Sequence, residues 1–306
     1  MHKEVIEKNF NYAINRVEGV IIMGFNFSKD FQNIRELLDY TQFALGEVLG
    51  VDQTIVSKYE NGDNPSKEYV EKIYNLAFSK GIRISRLKEM LYKEKIGNTH
   101  KLLAHGSKKE IEGEISISKG RANNDFGLGF YAGESCEQAI SFISNFDEGS
   151  IYFLDFNPNG LKCKKYDVTQ DWMLIIAYYR GTLRDYEDNP IIKKLVDETK
   201  EYDYIIAPIA DNRMFKIINS FIEGEITDEQ CKHCLAATNL GNQYVFKTEK
   251  AINNLKIIER SYVSKAEKKY YQGIKEMDTR LGDDKVKLAR REYRGKGLYI
   301  DDILSK

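Results

Sequence analysis

Three short segments of the sequence carry side chains that could hold a small polar molecule. In His105-Gly106-Ser107 the imidazole can bind a hydroxyl through a ring nitrogen, and the glycine leaves its backbone N–H and C=O open to close approach. Tyr131 and Phe142 offer flat aromatic faces. Gln243 supplies an amide oxygen that accepts hydrogen bonds. These residue types suit a ring and its hydroxyl groups.

Other patterns with chemical meaning are incomplete. Gly127-Leu128-Gly129-Phe130-Tyr131-Ala132 matches G-x-G-x-x-A, but a polar run precedes it where a dinucleotide fold needs a strand, and an extended segment replaces the helix. Cys231-Lys232-His233-Cys234 lacks the second ligand pair of a zinc site, so buried helix cysteines are expected. The sequence has no P-loop and no G-x-S-x-G, and its four histidines leave little room for a metal cage. We predict no metal site.

The elements that must position the three segments are strands and helices that alternate after residue 100. Hydrophobic patterns predict strands at 101–104, 129–132, 151–156, 202–208 and 243–247, and helices at 135–146, 171–179, 191–199, 228–238 and 264–293. His105 then follows the first strand, Tyr131 lies on the second, and Gln243 lies on the last. Residues 29–95, in contrast, predict only short helices with tight joints.

Within those helices, Thr41 and Asp52 suit N-caps and Gly50 suits a helix exit. Apolar residues of the helix after Thr41 are expected to share one face: Phe43, Leu45, Val48 and Leu49. The spaced string from Thr41-Gln42 through Leu45, Leu49-Gly50-Val51, Gln53, Val56-Ser57 and Tyr59-Glu60-Asn61-Gly62 resembles the helix-turn-helix of phage-repressor-type regulators. This resemblance places the major-groove contacts on the second helix of the motif, and Gln42 near a phosphate. The groove residues are Gln53, Thr54, Ser57 and Lys58.

Charge within the helical module argues against strong attraction to DNA. Residues 29–95 carry 11 basic and 11 acidic side chains, and Asp52 would face phosphates with the wrong sign. The alternative interpretation is a helical module that docks on a partner, on a second copy of the chain or on the following domain.

Composition sets the wider limits. The 306 residues include 46 basic and 47 acidic side chains, so a global basic field for nucleic acid is absent. No apolar run approaches the roughly 20 residues of a membrane helix. Four cysteines do not make a disulfide scaffold, which favours a reducing cytoplasm. Changes in hydrophobic pattern and in charge divide the chain into an extension (1–28), a helix-turn-helix domain (29–95), a mixed α and β domain (96–258) and a charged helical tail (259–306).

The three segments occur in an order that resembles a known superfamily. The strand His105-Gly106-Ser107, the segment Asp125-Phe126-Gly127-x-Gly129-Phe130-Tyr131 and the strand Asn242-Gln243-Tyr244-Val245-Phe246 are similar to motifs of ADP-ribosyltransferases of the diphtheria-toxin and poly(ADP-ribose)-polymerase type. A closer resemblance covers most of residues 100–270. It is to a bacterial family of unknown role assigned to that superfamily, and it includes Tyr202-Asp203-x-Ile205-Ile206-x-Pro208-Ile209-Ala210-Asp211-x-Arg213. The fold implied is α+β, with a split mixed sheet behind the all-α module.

The resemblance implies NAD as the substrate and assigns roles to the candidate residues. His105 would hold a ribose hydroxyl, the Gly106 backbone would pair with the nicotinamide carboxamide, and Ser107 would donate nearby. Tyr131 and Phe142 would stack on the nicotinamide ring. Arg213 and Arg121 are the candidates for the pyrophosphate.

Gln243 departs from the superfamily, which has a catalytic glutamate at this position. The glutamine keeps an acceptor oxygen but lacks the negative charge that would stabilise a developing cation. Another carboxylate takes over, or transfer is slow, or the protein only binds NAD; the candidate carboxylates are Asp125, Glu134, Asp211 and Glu249. If neutrality limits the reaction, Gln243→Glu should keep or raise NAD cleavage.

The function expected from these patterns is an NAD-dependent ADP-ribosyltransferase, targeted or regulated by the helix-turn-helix. A role as a toxin or in defence against phage is suggested by analogy only. The alternative is a catalytically weak, NAD-sensing, DNA-binding regulator. NAD, an acceptor macromolecule, DNA at residues 41–60 and a second copy of the chain are the partners considered, and a membrane is not among them.

Overall fold

The computed structural model describes residues 26–236 and 241–305, so most of the predicted extension (1–28) lies outside the described residues. The protein is of the α+β class. Its chain forms two compact units built from segments that are distant in sequence. The first unit comprises Met1–Glu110, Ser135–Phe156 and Lys256–Gly273, and the second comprises Ile111–Glu134, Asn157–Leu255 and Ile274–Lys306.

From residue 26 to residue 96, the described part of the first unit contains five helices, in agreement with the short helices that the sequence predicts for residues 29–95. They are α1 (Phe27–Leu37), α2 (Gln42–Leu49), α3 (Gln53–Glu60), α4 (Lys67–Ser79) and α5 (Ile84–Ile96). Thr41 caps α2 by accepting from the Ala44 backbone N–H, and Asp52 caps α3 by accepting from that of Thr54. Gly50 ends α2 with φ 72°, a conformation that glycine adopts without strain. Both predicted caps and the predicted helix exit are confirmed.

The predicted apolar face of α2 is half wrong. Leu45 and Leu49 are buried, but Phe43 is 59% exposed and Val48 is 52% exposed. Residues four apart lie above one another on a helix, so Leu45 and Leu49 share the inward face while Phe43 and Val48 point elsewhere. The module's core is formed by side chains from α1 to α4 that are fully buried: Phe31, Ile34, Leu45, Val56 and Ile73.

The first unit continues into β-structure directly after α5. Strand β1 (Lys101–Ser107) pairs antiparallel with β3 (Ser150–Phe156), and β7 (Leu255–Ser261) lies on the other side of β3. Helix α6 (Cys136–Ile143) packs on β1, with Ser135 and Gln138 forming a capping box at its start. The packing is close, because a Cβ at Gly106 would lie 2.6 Å from the backbone oxygen of Ala139.

A buried chain of charged and phenolic groups joins the helical module to β7. The Lys88 ammonium on α5 lies 2.6 Å from the Asp30 carboxylate on α1 and 2.7 Å from the Glu259 carboxylate on β7. Tyr74 donates to Asp30, and Tyr92 donates to Glu259. Burial raises the pKa of Asp30 to about 6, although Lys88 opposes the shift. Helix α5 is therefore bonded to the sheet through its interior face.

The second unit holds β2 (Phe130–Gly133), β4 (Cys163–Lys165), β5 (Tyr204–Pro208) and β6 (Asn242–Phe246) in the order β4-β5-β6-β2. The β4–β5 pair is parallel and the other two pairs are antiparallel, so the strands are mixed in direction. Its helices are α7 (Gln170–Arg180), α8 (Pro190–Glu198), α9 (Asn212–Ile222), α10 (Asp228–Ala236), α11 (Glu249–Ile252) and α13 (Ile300–Leu304). Helix α12 (Lys265–Glu292) begins in the first unit and ends in the second.

The core of the second unit surrounds α7, in which six consecutive residues from Trp172 to Ala177 are buried. Cys231 and Cys234 are free thiols buried in this core, as the sequence predicts. The predicted end of their helix, at residue 238, lies outside the described residues. In the described ranges, no helix is long and apolar enough to cross a bilayer.

Candidate functional site

Tyr131 and Gln243 project from one face of the β2–β6 pair. Tyr131 lies opposite Val245, and Gly133 lies opposite Gln243. Side chains alternate between the two faces of a strand, so Tyr131, Val245 and Gln243 share a face, with Tyr131 and Gln243 in diagonal register. Two of the three predicted motifs are thus adjacent in the second unit, on the face that Val245 shares with the core.

The hydroxyl of Tyr131 is bonded to the loop that precedes β2. It donates to the backbone oxygen of Gly127 at 2.7 Å and accepts from the backbone N–H of Phe126 at 3.1 Å. Burial raises the pKa of Tyr131, so the phenol is neutral at physiological pH. Its hydroxyl holds the loop, while the ring is the part that could stack on a ligand.

The conformation of the loop before β2 differs from the strand–turn–helix that a dinucleotide-binding motif requires. Gly127 has φ 71°, and a Cβ there would lie 2.7 Å from the Tyr179 ring, so both the conformation and the space require glycine. Strand β2, not a helix, begins at Phe130. Rejection of the Rossmann interpretation is therefore consistent with the local structure.

Gln243 is buried, with 8% of its surface exposed. Its amide nitrogen Nε2 donates to the Asp125 carboxylate oxygen Oδ2 at 2.7 Å and to the Pro208 backbone oxygen at 3.1 Å. The side chain is consequently oriented by two acceptors, one from the loop before β2 and one from the end of β5.

Asp125 is the centre of this polar cluster. Its Oδ1 accepts from Nε of Arg180 at 2.7 Å and also from Nη2, and its Oδ2 accepts from the Ala210 backbone N–H at 3.1 Å in addition to Gln243. Four donors converge on one carboxylate that is 4% exposed. Asp125 therefore resembles an anchoring group more than a free base, although the sequence offers it as a substitute catalytic carboxylate.

The other three candidate carboxylates have different surroundings. Glu134 accepts from the backbone N–H of Asn242 at 3.3 Å, next to Gln243 along β6. Asp211 caps α9 by accepting from the backbone N–H groups of residues 213 and 214. Glu249 lies exposed in the first turn of α11. Of the four, the hydrogen bonds of the described residues connect only Asp125 to Gln243.

The two predicted pyrophosphate ligands lie in contrasting environments. Arg213 is in the first turn of α9, and its Nη1 donates to the backbone oxygens of Asp278 and Thr279 on α12, at 3.3 and 3.0 Å. Arg121 is exposed in the segment before Asp125. Pyrophosphate binding by either residue stays a prediction.

The first motif belongs to the first unit. His105 is half-buried on β1 opposite Tyr152, and Ser107 is two residues further along the same face. Gly106 points to the other face, where α6 lies within contact of its missing Cβ. Phe142 is on α6 and is 58% exposed. Its ring is accessible, and its proposed stacking role stays a prediction.

The predicted DNA-contact residues lie mostly on the surface of α3. Gln53, Thr54 and Lys58 are exposed, and Ser57 is half-buried. Gln42 is different, because its side chain donates to Glu60 at 2.8 Å within the module. Hydrogen bonding by the Thr54 backbone lowers the pKa of Asp52, which places a stable negative charge at the start of α3.

Sequence reasoning missed Arg180 and Lys247, which hold the loop before β2. Lys247 donates to the backbone oxygens of Phe126 and Leu128, and burial lowers the pKa of its ammonium to about 8. Arg180 ends α7, far from Asp125 in sequence. No local pattern marks either residue, because both act on a segment more than fifty positions away.

Comparisons with known proteins identify two regions. A family model described as a protein of unknown function (DUF3990) matches residues 102–257, and a helix-turn-helix family model matches residues 31–75. The predicted helix-turn-helix is therefore confirmed, and such a domain indicates DNA binding or regulation. No curated protein and no solved structure matches the chain.

Proposed function

We propose that this chain, which belongs to the DUF3990 family of proteins of unknown function, is an NAD-dependent ADP-ribosyltransferase that its helix-turn-helix domain targets or regulates. The observation that carries the proposal is the shared face of Tyr131 and Gln243. It supports a site in which an aromatic ring and a hydroxyl acceptor meet one ligand. The order of the three sequence motifs supplies the resemblance to transferases.

The residue types fit the requirements of NAD cleavage. Nicotinamide leaves as a neutral ring while positive charge develops on the ribose. The flat ring of Tyr131 suits the nicotinamide, and the amide oxygen of Gln243 suits a ribose hydroxyl. The sequence resemblance also assigns NAD contacts to His105, Gly106, Ser107, Phe142, Arg121 and Arg213, and these roles stay predictions from the sequence.

The proposal assigns no resident metal and treats NAD as a substrate. It places the protein in the cytoplasm, where NAD and DNA are both available. Action as a toxin or against phage rests on analogy with other fusions of this kind.

Nicotinamide release tests the proposal. The full chain should release nicotinamide from NAD, and Tyr131→Ala should weaken NAD binding by about 1 kcal/mol or more because a stacking face is lost. Tyr186→Ala is the matched control, since Tyr186 is an exposed aromatic residue of the same unit that no motif includes. A wild-type chain that neither binds nor cleaves NAD would refute the proposal.

A second candidate function is favoured by the neutrality of Gln243 together with the exposed polar surface of α3. It is a DNA-binding regulator that senses NAD without cleaving it. Gel-shift measurements with and without NAD separate the two candidates. NAD-dependent DNA affinity without nicotinamide release supports the regulator, whereas release that is independent of DNA supports the enzyme.

A further inference from the structure

We infer that Asp125 is a positioning residue, which fixes the Gln243 amide so that its oxygen, and not its nitrogen, meets the substrate. The inference rests on the proposed function and deepens it by assigning the chemistry at position 243. It also changes the expected effect of placing a glutamate there.

The orientation of the amide follows from the groups around its nitrogen. Nε2 carries two N–H donors, and it faces the Asp125 carboxylate at 2.7 Å and the Pro208 carbonyl at 3.1 Å. Both neighbours present oxygen atoms to Nε2, and each accepts one of its hydrogens. Turning the amide by half a rotation would set its oxygen against two other oxygens with no proton between them. The observed orientation is therefore strongly preferred.

Asp125 is itself fixed in place. Arg180 donates to Asp125 through two nitrogens and also donates to the backbone oxygen of Ala210. The backbone N–H of Ala210 in turn donates to Asp125. The Arg180 guanidinium lies 4.9 Å from the centroid of the Phe215 ring, which restricts its movement further. Asp125 thus presents a rigid acceptor to Gln243.

The oxygen of the amide is the part that remains available. Within the described residues, Oε1 of Gln243 makes no hydrogen bond. It is not one of the fully buried polar atoms that lack a partner, so part of its surface is exposed. An acceptor held at a fixed orientation on the face of Tyr131 can receive a hydroxyl of the NAD ribose. The neutral amide binds that hydroxyl as a glutamate would, but without a charge.

This arrangement explains why a glutamine stands at position 243. A glutamate in the same rotamer would place a carboxylate oxygen about where Nε2 lies, in contact with Oδ2 of Asp125 and close to the Pro208 oxygen. Two carboxylates in contact do not both ionise readily, so one pKa would rise. The substitution would lose both donors and disturb the oxygen that faces the substrate. Gln243→Glu should therefore lower NAD cleavage at neutral pH.

The test is an exchange of the two groups, measured as nicotinamide release by four full-length proteins: the wild type, Gln243→Glu, Asp125→Asn, and the double variant. Each single change leaves like groups facing each other, so we expect each to reduce kcat at least about tenfold. In the double variant the amide introduced at position 125 can donate to the carboxylate introduced at position 243, while the Ala210 N–H loses its acceptor and the Pro208 oxygen loses its donor. Its rate should therefore exceed that of both single variants but stay below that of the wild type. The rates are compared under conditions in which all four proteins are folded by circular dichroism, so that a recovery of folding alone is not counted as a recovery of rate.

The pH profile is a second readout. In Gln243→Glu a proton shared by the two carboxylates restores the missing donor. Its rate should therefore rise relative to the wild type as pH falls through the raised pKa. If Gln243→Glu does not fold, Gln243→Met replaces it, since methionine removes the acceptor and leaves Asp125 unchanged. Loss of cleavage in a folded Gln243→Met protein supports the inference, and wild-type activity overturns it.

Failure of the inference can be distinguished from failure of the proposed function. If the wild type cleaves NAD and Gln243→Glu is equally active or faster, with no advantage for the double variant, the positioning role is refuted while the transferase stands. If the wild type neither binds nor cleaves NAD, the transferase is refuted. Thermal unfolding of the same four proteins then tests the pair, and additive effects of the two substitutions would refute the pairing as well.

Discussion

Replacement of Lys88 by methionine should destabilise the protein far more than a surface lysine change does. The Lys88 ammonium is 3% exposed and lies between two carboxylates, at 2.6 and 2.7 Å. Methionine fills a similar volume but leaves Asp30 and Glu259 buried without their cation. Breaking a buried ion pair by removing one partner costs about 3–5 kcal/mol, because the remaining charge stays desolvated. We expect a loss in the free energy of unfolding of this size at pH 7.

The assay is denaturant unfolding of the full chain, followed by far-UV circular dichroism. Lys72→Met is the matched control, because Lys72 forms an exposed pair with Glu68 one helical turn away, and solvent screens such a pair so that it contributes little to stability. The single tryptophan, Trp172, lies in the core of the second unit, so its fluorescence reports that unit separately. Equal midpoints for Lys88→Met and Lys72→Met at pH 7 would refute the energetic argument.

The sign of the pH dependence gives an additional check. Burial raises the pKa of Asp30 to about 6, above its value of 3.8 in the absence of burial. The folded state therefore binds this proton more readily than the unfolded state, and the stability it contributes is lost as pH rises through about 6. Removing Lys88 takes away a cation that favours the ionised form, so the pKa of Asp30 should rise further. The deficit of Lys88→Met should then shrink as pH falls toward 6 through the raised pKa of Asp30 in the variant, and level off below 6, where Asp30 is protonated in both proteins.

Three further predictions concern other parts of the molecule. Lys58→Ala should weaken any DNA binding at low salt and reduce the salt dependence by about one unit of slope, as measured by fluorescence anisotropy across a salt series; an unchanged slope would remove Lys58 from the phosphate contacts. Gly106→Ala should lower the unfolding free energy by about 1–3 kcal/mol, since its Cβ would lie 2.6 Å from the Ala139 oxygen; an unchanged melting temperature would show that α6 shifts freely. Lys247→Met should loosen the 126–128 backbone, seen as faster amide hydrogen exchange there than in the wild type.

The elements that the sequence predicts well have a strong local signal. Strand β3 (Ser150–Phe156) is almost wholly buried, and its continuous apolar run is visible in the sequence. The N-caps Thr41 and Asp52 act on backbone groups two or three residues away, so their residue type is sufficient to place them.

The elements that were missed have weak or conflicting signals. Strand β4 has only three residues, two of them lysines. Strand β7 carries charged residues among its apolar ones, and one of these, Glu259, is buried against Lys88. The segment after β5 carries Asp211 and Arg213, and the sequence predicts no helix there. It is helix α9, with Asp211 as its N-cap, because four buried apolar residues from Met214 to Phe221 draw it onto the core.

In the candidate site, too, features set by neighbouring residues are predictable from the sequence, whereas contacts between residues distant in sequence are not. The sequence places Tyr131 and Gln243 on strands, and their diagonal register confirms that placement. The partners of Gln243 depend on how the loop before β2 folds back, and Arg180 reaches Asp125 from the end of a different helix. Motif spacing along a chain contains no information about such contacts. The charge missing at position 243 was readable from the sequence, whereas the buried carboxylate that holds the amide was not.

In the helical module, the change from helical to strand-like sequence patterns does not coincide with a boundary between compact units. Helix α5 ends at Ile96, where the sequence changes from helical to strand-like patterns, yet three of its buried polar residues bond outside the module or across it. Lys88 and Tyr92 reach Glu259 on β7, and Glu89 accepts from the backbone N–H of Cys136 at the start of α6. In a sequence, lysines and glutamates between apolar positions are typical of a solvated helix face. Here the same residues face the interior, so the helix-turn-helix and the strand that carries His105 belong to one compact unit.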